Sequence, residues 1–216
     1  MTKVKFCGNR TPEDVSFVNE ARPDYAGFIL AKGFRRTVDD MTAEKLAEAV
    51  RPGISRVGVF VDDAPERVAR FLNEGIVDIA QLHGSETEEY IGRLRGMTSG
   101  TVMKCFRPET AEDVRLAMGS SADLVMLDGG SGSGRTFDWS LLREADRDYF
   151  LAGGLTPENV GDAVRRLRPF AVDTSSGTET EGKKDIRRMR RFMDAVRDAD
   201  RDVPARDGRP ECAEDD

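Results

Sequence analysis

Two stretches toward the C-terminal end decide the fold: LAGGLTPENV at residues 151–160 and AVDTSSGTE at residues 171–179. Each is a short apolar strand that breaks into glycine, serine and threonine, whose small side chains leave backbone N–H groups open to a ligand. Two such breaks, one helix apart, read as a phosphate cradle. In a (β/α)8 barrel that cradle lies in the loops after the last two strands.

The rest of the chain alternates in the same way. Runs rich in β-branched and aromatic residues at 4–7, 25–30, 56–61, 77–82, 102–106, 124–127, 149–152 and 170–173 make eight candidate strands. Between them, 42–50, 65–73, 86–94, 111–118 and 157–167 carry apolar residues at helical spacing. Such alternation implies parallel strands joined by crossover helices. Thr11-Pro12-Glu13 and Thr156-Pro157-Glu158 each place a capping hydroxyl, a proline at the first helical position and an acid in the first turn. A last, strongly charged helix is expected over 182–199. Eight strands either close into a barrel or lie as an open doubly wound sheet. Closure is favoured, because the first strand begins almost at residue 1 and the glycine-rich loops follow the last two strands, with no GxGxxG after the first. The expected architecture is therefore an α/β chain with a single (β/α)8 TIM barrel over 1–199 and a short disordered tail over 200–216, polar and containing Pro204 and Pro210.

Composition narrows the function. At 216 residues the chain makes one domain, somewhat short for an eightfold barrel. A net charge of -7 argues against gripping nucleic-acid phosphates, which takes a concentrated basic surface. The excess of acids and of arginine over lysine fits either a salt-rich cytoplasm or a GC-rich genome. Cys7, Cys105 and Cys212 show no CxxC spacing and there is one histidine, so neither a zinc site nor a disulfide framework is expected. No apolar run reaches membrane-spanning length and no signal-peptide core opens the chain, so a cytoplasmic protein is expected. Its expected partner is a small phosphorylated molecule, neither nucleic acid nor membrane. Monomer and homodimer stay open.

In a barrel the functional groups gather at the carboxyl ends of the strands. Cys7 ends the first strand, Arg36 follows the second, His83 follows the fourth, Asp128 ends the sixth and Asp173 the eighth. Cys105, ending the fifth, faces either the cavity or the core. The loop GGSGSGRT at 129–136 nearly spells a nucleotide-binding P-loop, but Arg135 stands where the lysine belongs. It reads better as a loop that closes over a substrate.

The stretches KFCGNRTPEDV, AGFIL…RRTV, VGVFVD, DIAQLHG, LDGGSGSGRTFDW, LAGGLTPENV and VDTSSGTETEGKKD resemble, in order and spacing, the phosphoribosylanthranilate isomerases of tryptophan biosynthesis, from about residue 3 to about residue 197. The resemblance implies an Amadori rearrangement of N-(5-phosphoribosyl)anthranilate to 1-(2-carboxyphenylamino)-1-deoxyribulose 5-phosphate, without cofactor or metal. It implies Cys7 as general base, with a thiol pKa brought down toward neutrality, and Asp128 as general acid, with a carboxyl pKa raised. Arg36 would hold the anthranilate carboxylate, though Arg35 competes because the loop Ala31-Lys32-Gly33-Phe34 departs from the family pattern. His83 is a substrate contact or a structural histidine; Asp173 positions substrate or ties its strand end. Gly153, Gly154, Ser175 and Ser176 would hold phosphate. Two rivals stand beside this reading: the histidine-pathway isomerase of a related aminoaldose, which has an aspartate in place of Cys7, and a non-catalytic phosphate-binding barrel.

Overall fold

Eight short strands, each buried on both faces, can satisfy their edges only by closing on themselves. In the computed structural model, which describes residues 1–130 and 138–202, they do so. The strands are β1 (Lys3–Phe6), β2 (Tyr25–Ile29), β3 (Ser55–Phe60), β4 (Ile79–Leu82), β5 (Thr101–Phe106), β6 (Leu124–Asp128), β7 (Tyr149–Ala152) and β8 (Ala171–Thr174). Every neighbour is parallel, and β1 closes the barrel on β8 with Lys5 opposite Asp173. Inward side chains such as Val57, Ile79, Met103, Met126 and Phe150 fill the barrel. Outward ones pack under the helices; Phe6 meets Phe192 edge to face at 5.8 Å.

The helices are α1 (Pro12–Ala21), α2 (Asp40–Glu48), α3 (Pro65–Asn73), α4 (Glu88–Arg95), α5 (Ala111–Met118), α6 (Val160–Leu167) and α7 (Ile186–Asp202). Between β6 and β7 a 3-10 turn, Trp139–Glu144, stands where a crossover helix belongs. The Thr11 cap forms as expected, completed by Asp14 into a capping box. The matching Thr156 motif does not start a helix. Asn159 Oδ1 accepts the Thr156 N–H at 2.8 Å and the Thr156 hydroxyl accepts Glu158 N–H, closing a separate turn, so α6 begins only at Val160.

The last helix is also corrected at both ends. A two-stranded hairpin, β9 (Glu179–Thr180) and β10 (Lys183–Lys184), turns through Gly182 at φ 76° before α7 begins. At its far end α7 continues through residues 200–202, which sequence reading gave to the tail. Asp200 is held there by the N–H and hydroxyl of Thr2, at 2.9 and 2.7 Å, and Arg197 donates to the Thr2 carbonyl at 2.7 Å. The remaining tail, with Cys212, and most of the 129–136 loop lie outside the described residues. Among the described residues no helix is long and apolar enough to cross a membrane.

Candidate active site

The strand order brings all nine predicted site residues to one cavity of about 870 Å3 at the carboxyl end of the barrel. On one side are the loops after β7 and β8. A Cβ on Gly153 would meet the Gly129 backbone nitrogen at 2.6 Å, and the residue sits at φ 102°, so glycine is required there. Gly154, at φ 65°, has open space over it. The Thr174 hydroxyl donates to the Leu155 carbonyl at 2.7 Å and locks the two loops together. The buried hydroxyl oxygen of Ser175 has no hydrogen-bond partner. A buried polar atom between two runs of open amides offers an anion hydrogen-bond donors.

Cys7 continues β1, its N–H donating to the Thr174 carbonyl at 2.9 Å. Burial, the largest influence, raises its thiol pKa above the ordinary value; Lys5 pulls the other way and Asp173 adds to the rise. The fall expected from sequence is not present. Asp128, at the end of β6, accepts Gly130 N–H at 2.9 Å on one oxygen and faces His83 Nε2 at 3.2 Å on the other. Burial pushes this carboxyl upward but is outweighed by the bonds from His83 and Gly130 and the charge of Arg107, leaving its pKa below the ordinary value. That too is opposite to expectation. The causes differ: sequence does not show the burial that raises the thiol, nor the His83 and Gly130 donors that strand packing brings to Asp128.

His83 is oriented from behind. The Gln81 side-chain amide, on the same face of β4 two residues earlier, lies 3.1 Å from Nδ1, which leaves Nε2 facing Asp128. Cys105 is both a core and a cavity residue, packed in the barrel interior with its side chain in the lining.

Of the two arginines, Arg36 lines the cavity with its side chain 18% exposed, whereas Arg35 is 54% exposed and does not. Glu179, on β9, bridges both. It receives Arg36 Nε at 2.5 Å and Nη2 at 2.8 Å, and Arg35 Nη2 at 2.6 Å. Burial would raise the Glu179 pKa, but the Arg36 and Arg35 bonds prevail and hold it at about 2. Lys184, on β10, is buried and donates to the carbonyls of Cys7 at 2.7 Å and Ser175 at 2.8 Å, joining the Cys7 strand to the loop after β8. Its burial lowers its pKa to about 8. Sequence reading singled out neither Glu179 nor Lys184 and gave residues from Gly182 onward to the last helix; the hairpin instead folds this charged run over the β2 loop.

Among the described residues, one group has metal-binding donors close together: His83, Cys105 and Asp128, with ligand atoms within 4.8 Å of one another. Three separate strands assemble it, so no spacing rule could find it. The Arg107 guanidinium, 3.4 Å from His83 Nε2, sets a positive charge where a cation would have to lie.

Fold and site together define the class: a (β/α)8-barrel enzyme with an amide cradle on one side of its mouth and a thiol and a carboxyl in the same cavity. The family described as N-(5'phosphoribosyl)anthranilate (PRA) isomerase matches residues 4–195. The chain is similar to N-(5'-phosphoribosyl)anthranilate isomerase of Endomicrobium trichonymphae, 42% identical over 194 residues that cover 88% of this chain and 95% of that protein. It is similar in structure to phosphoribosyl anthranilate isomerase of Thermotoga maritima, with a TM-score of 0.82, 34% identity, and coverage of 92% and 100%. A second solved isomerase, in complex with reduced 1-(o-carboxyphenylamino)-1-deoxyribulose 5-phosphate, matches at a TM-score of 0.81 and 33% identity, with coverage of 92% and 100%. The chain belongs to the N-(5'-phosphoribosyl)anthranilate isomerase family.

Proposed function

We infer that the protein catalyses the Amadori rearrangement of N-(5-phosphoribosyl)anthranilate to 1-(2-carboxyphenylamino)-1-deoxyribulose 5-phosphate in tryptophan biosynthesis. The observation that carries the reading is the meeting of Cys7, Asp128, Arg36 and the two glycine and serine loops around one cavity. In this reading the phosphate lies on the amides of Gly153, Gly154, Ser175 and Ser176. The anthranilate carboxylate takes the Arg36 Nη1 edge, since Glu179 fixes the other side of the guanidinium. Asp173 positions the sugar chain from the cavity floor, and His83 contacts substrate while orienting Asp128.

Asp128 gives a proton to the furanose ring oxygen as the C1–O bond breaks, and the anilino nitrogen supplies the electron pair, leaving a Schiff base. Cys7 thiolate then removes the C2 proton; the C2–H electrons form the enolamine and neutralise the nitrogen. Cys7 returns its proton to C1 while the C2 enol hydroxyl gives its proton to Asp128, which yields the ketone and restores both groups. Atoms and electrons balance within the substrate, so the reaction as written needs neither cofactor nor metal. The unliganded site carries one proton for this pair, on the thiol, with Asp128 ionised. The reacting arrangement has the same charge with that proton on Asp128, so only its location changes.

Cys7 sets the reading apart from the histidine-pathway rival, whose base is an aspartate. The test is turnover: mixed with phosphoribosylanthranilate, the protein is expected to abolish the fluorescence of that substrate. A protein that binds the substrate without changing it is a non-catalytic barrel, and the reading fails.

A further inference from the structure

One buried charge has no part in the reaction as written. Lys5 has no solvent exposure and stands inside the barrel, on the same face of β1 as Cys7 two residues on. Its ammonium donates to Asp173 at 2.8 Å, across the β1–β8 register. Its charge also acts on the Cys7 sulfur. A methyl group grown on Gly27 would meet Cys7 Sγ at 2.7 Å and Lys5 Nζ at 3.1 Å, so sulfur and ammonium share the small space over that bare residue of β2. Lys5 does not line the cavity; it lies beneath it.

A buried ion pair is a poor way to stabilise a barrel, since an apolar side chain of similar volume does as well or better. The position of this one calls for a use. We propose that Lys5 is a positioning residue for the isomerisation: its ammonium holds the Cys7 sulfur toward the substrate and stabilises it as thiolate. This rests on Cys7 acting as the base.

The charges facing Cys7 come from four elements. Lys5 reaches it from β1, Asp173 from β8 and Lys184 from β10, while Arg36 approaches across Gly8 from the β2 loop. Lys184 spends its hydrogen bonds on the carbonyls of Cys7 and Ser175 and on the Thr178 hydroxyl. Lys5 is the cation that shares the space over Gly27 with the sulfur. Asp173 opposes ionisation of the thiol but neutralises Lys5 and holds its proton in place, so Lys5 remains an ammonium throughout and exchanges no proton with the substrate.

The experiment reads the thiol directly. Ultraviolet thiolate absorbance is titrated in the protein and in Lys5→Met, each against its Cys7→Ser counterpart so that only Cys7 is counted. Removing a buried cation from beside the sulfur moves the Cys7 midpoint up by about one to two pH units in Lys5→Met. The plateau of kcat/KM falls by about the same powers of ten, with KM nearly unchanged. An unmoved midpoint overturns the proposal. If Lys5→Met does not fold because Asp173 is stranded, Asp173→Asn is compared with Lys5→Met/Asp173→Asn. The first lowers the midpoint and the second raises it again; equal midpoints overturn the proposal. Failure of the isomerase reading shows separately, as absent turnover in the unmodified protein.

Discussion

A thiol whose pKa is raised and a carboxyl whose pKa is lowered invert the usual assignment of a bell-shaped pH profile. The reacting form needs thiolate and carboxylic acid together. Between the two pKa values that form is a small, constant fraction. Below the Asp128 pKa it falls because the thiolate vanishes while Asp128 can gain no more protons; above the Cys7 pKa it falls because the acid vanishes. The acid limb of kcat/KM is therefore set by Asp128 and the alkaline limb by Cys7. In Cys7→Ser, kcat should fall about 10²- to 10⁴-fold and the acid-side fall should disappear, with the alkaline fall moving down to the Asp128 pKa, while Asp128→Asn should lose as much and the alkaline fall with it, its acid limb moving up to the Cys7 pKa. A surviving limb that keeps its original midpoint in each variant would mean the pair is not inverted. His83→Ala removes the strongest bond that lowers the Asp128 pKa, so its acid limb should move to higher pH. The residue types were legible in the sequence, since a strand-end cysteine and aspartate are visible in KFCG and LDGG. Their ionisation was not, because it depends on His83, Lys5 and Gly130, which reach them only through the folded barrel. Lys5 itself was within reach: it shares a strand face with Cys7 by simple alternation, yet a lysine in an apolar run reads as an edge residue.

At the scale of elements, the hairpin β9–β10 and the loop after β7 make opposite demands. Gly154→Val places a branched side chain at positive φ in open space over the cavity and should chiefly raise KM. Gly153→Ala drives a Cβ into the Gly129 backbone and should lower the melting temperature instead. An unchanged KM in the first would remove Gly154 from the phosphate site. In the hairpin, Glu179 has a folded pKa of about 2 against an ordinary 4.5. A carboxyl lowered on folding stabilises the fold fully above its unfolded pKa and loses that contribution as pH falls through the folded one. The melting temperature should thus decline from pH 4.5 toward pH 2 more steeply in the protein than in Glu179→Gln. The same variant should raise KM by loosening Arg36. Strands and most helices were readable because a two-sided apolar strand and an amphipathic helix have distinct periods. The hairpin was not, because its two strands are two residues each and its charges find partners far away in sequence.

For the whole molecule, closure of β1 on β8 is reinforced by α7, which carries Ala199 into the core and Asp200 onto Thr2. A chain ending at Asp202 keeps all of these contacts and should match the full chain in activity and melting temperature. One ending at Arg197 loses two hydrogen bonds to Thr2, each worth about 0.5–1.5 kcal/mol, and should melt several degrees lower. A large loss on the shorter trim would mean that residues 203–216 contribute to the fold. The same closure has a consequence during synthesis. β1 emerges from the ribosome first and its second neighbour nearly last, so one edge of the nascent sheet stays open for about ten to thirty seconds at ordinary translation rates. An open edge recruits strands from other chains unless something unsuited to stacking stands on it. Until Asp173 has been made, the charge on Lys5 lies on that edge without its partner, and an unpaired charge there disfavours pairing with strands of other chains.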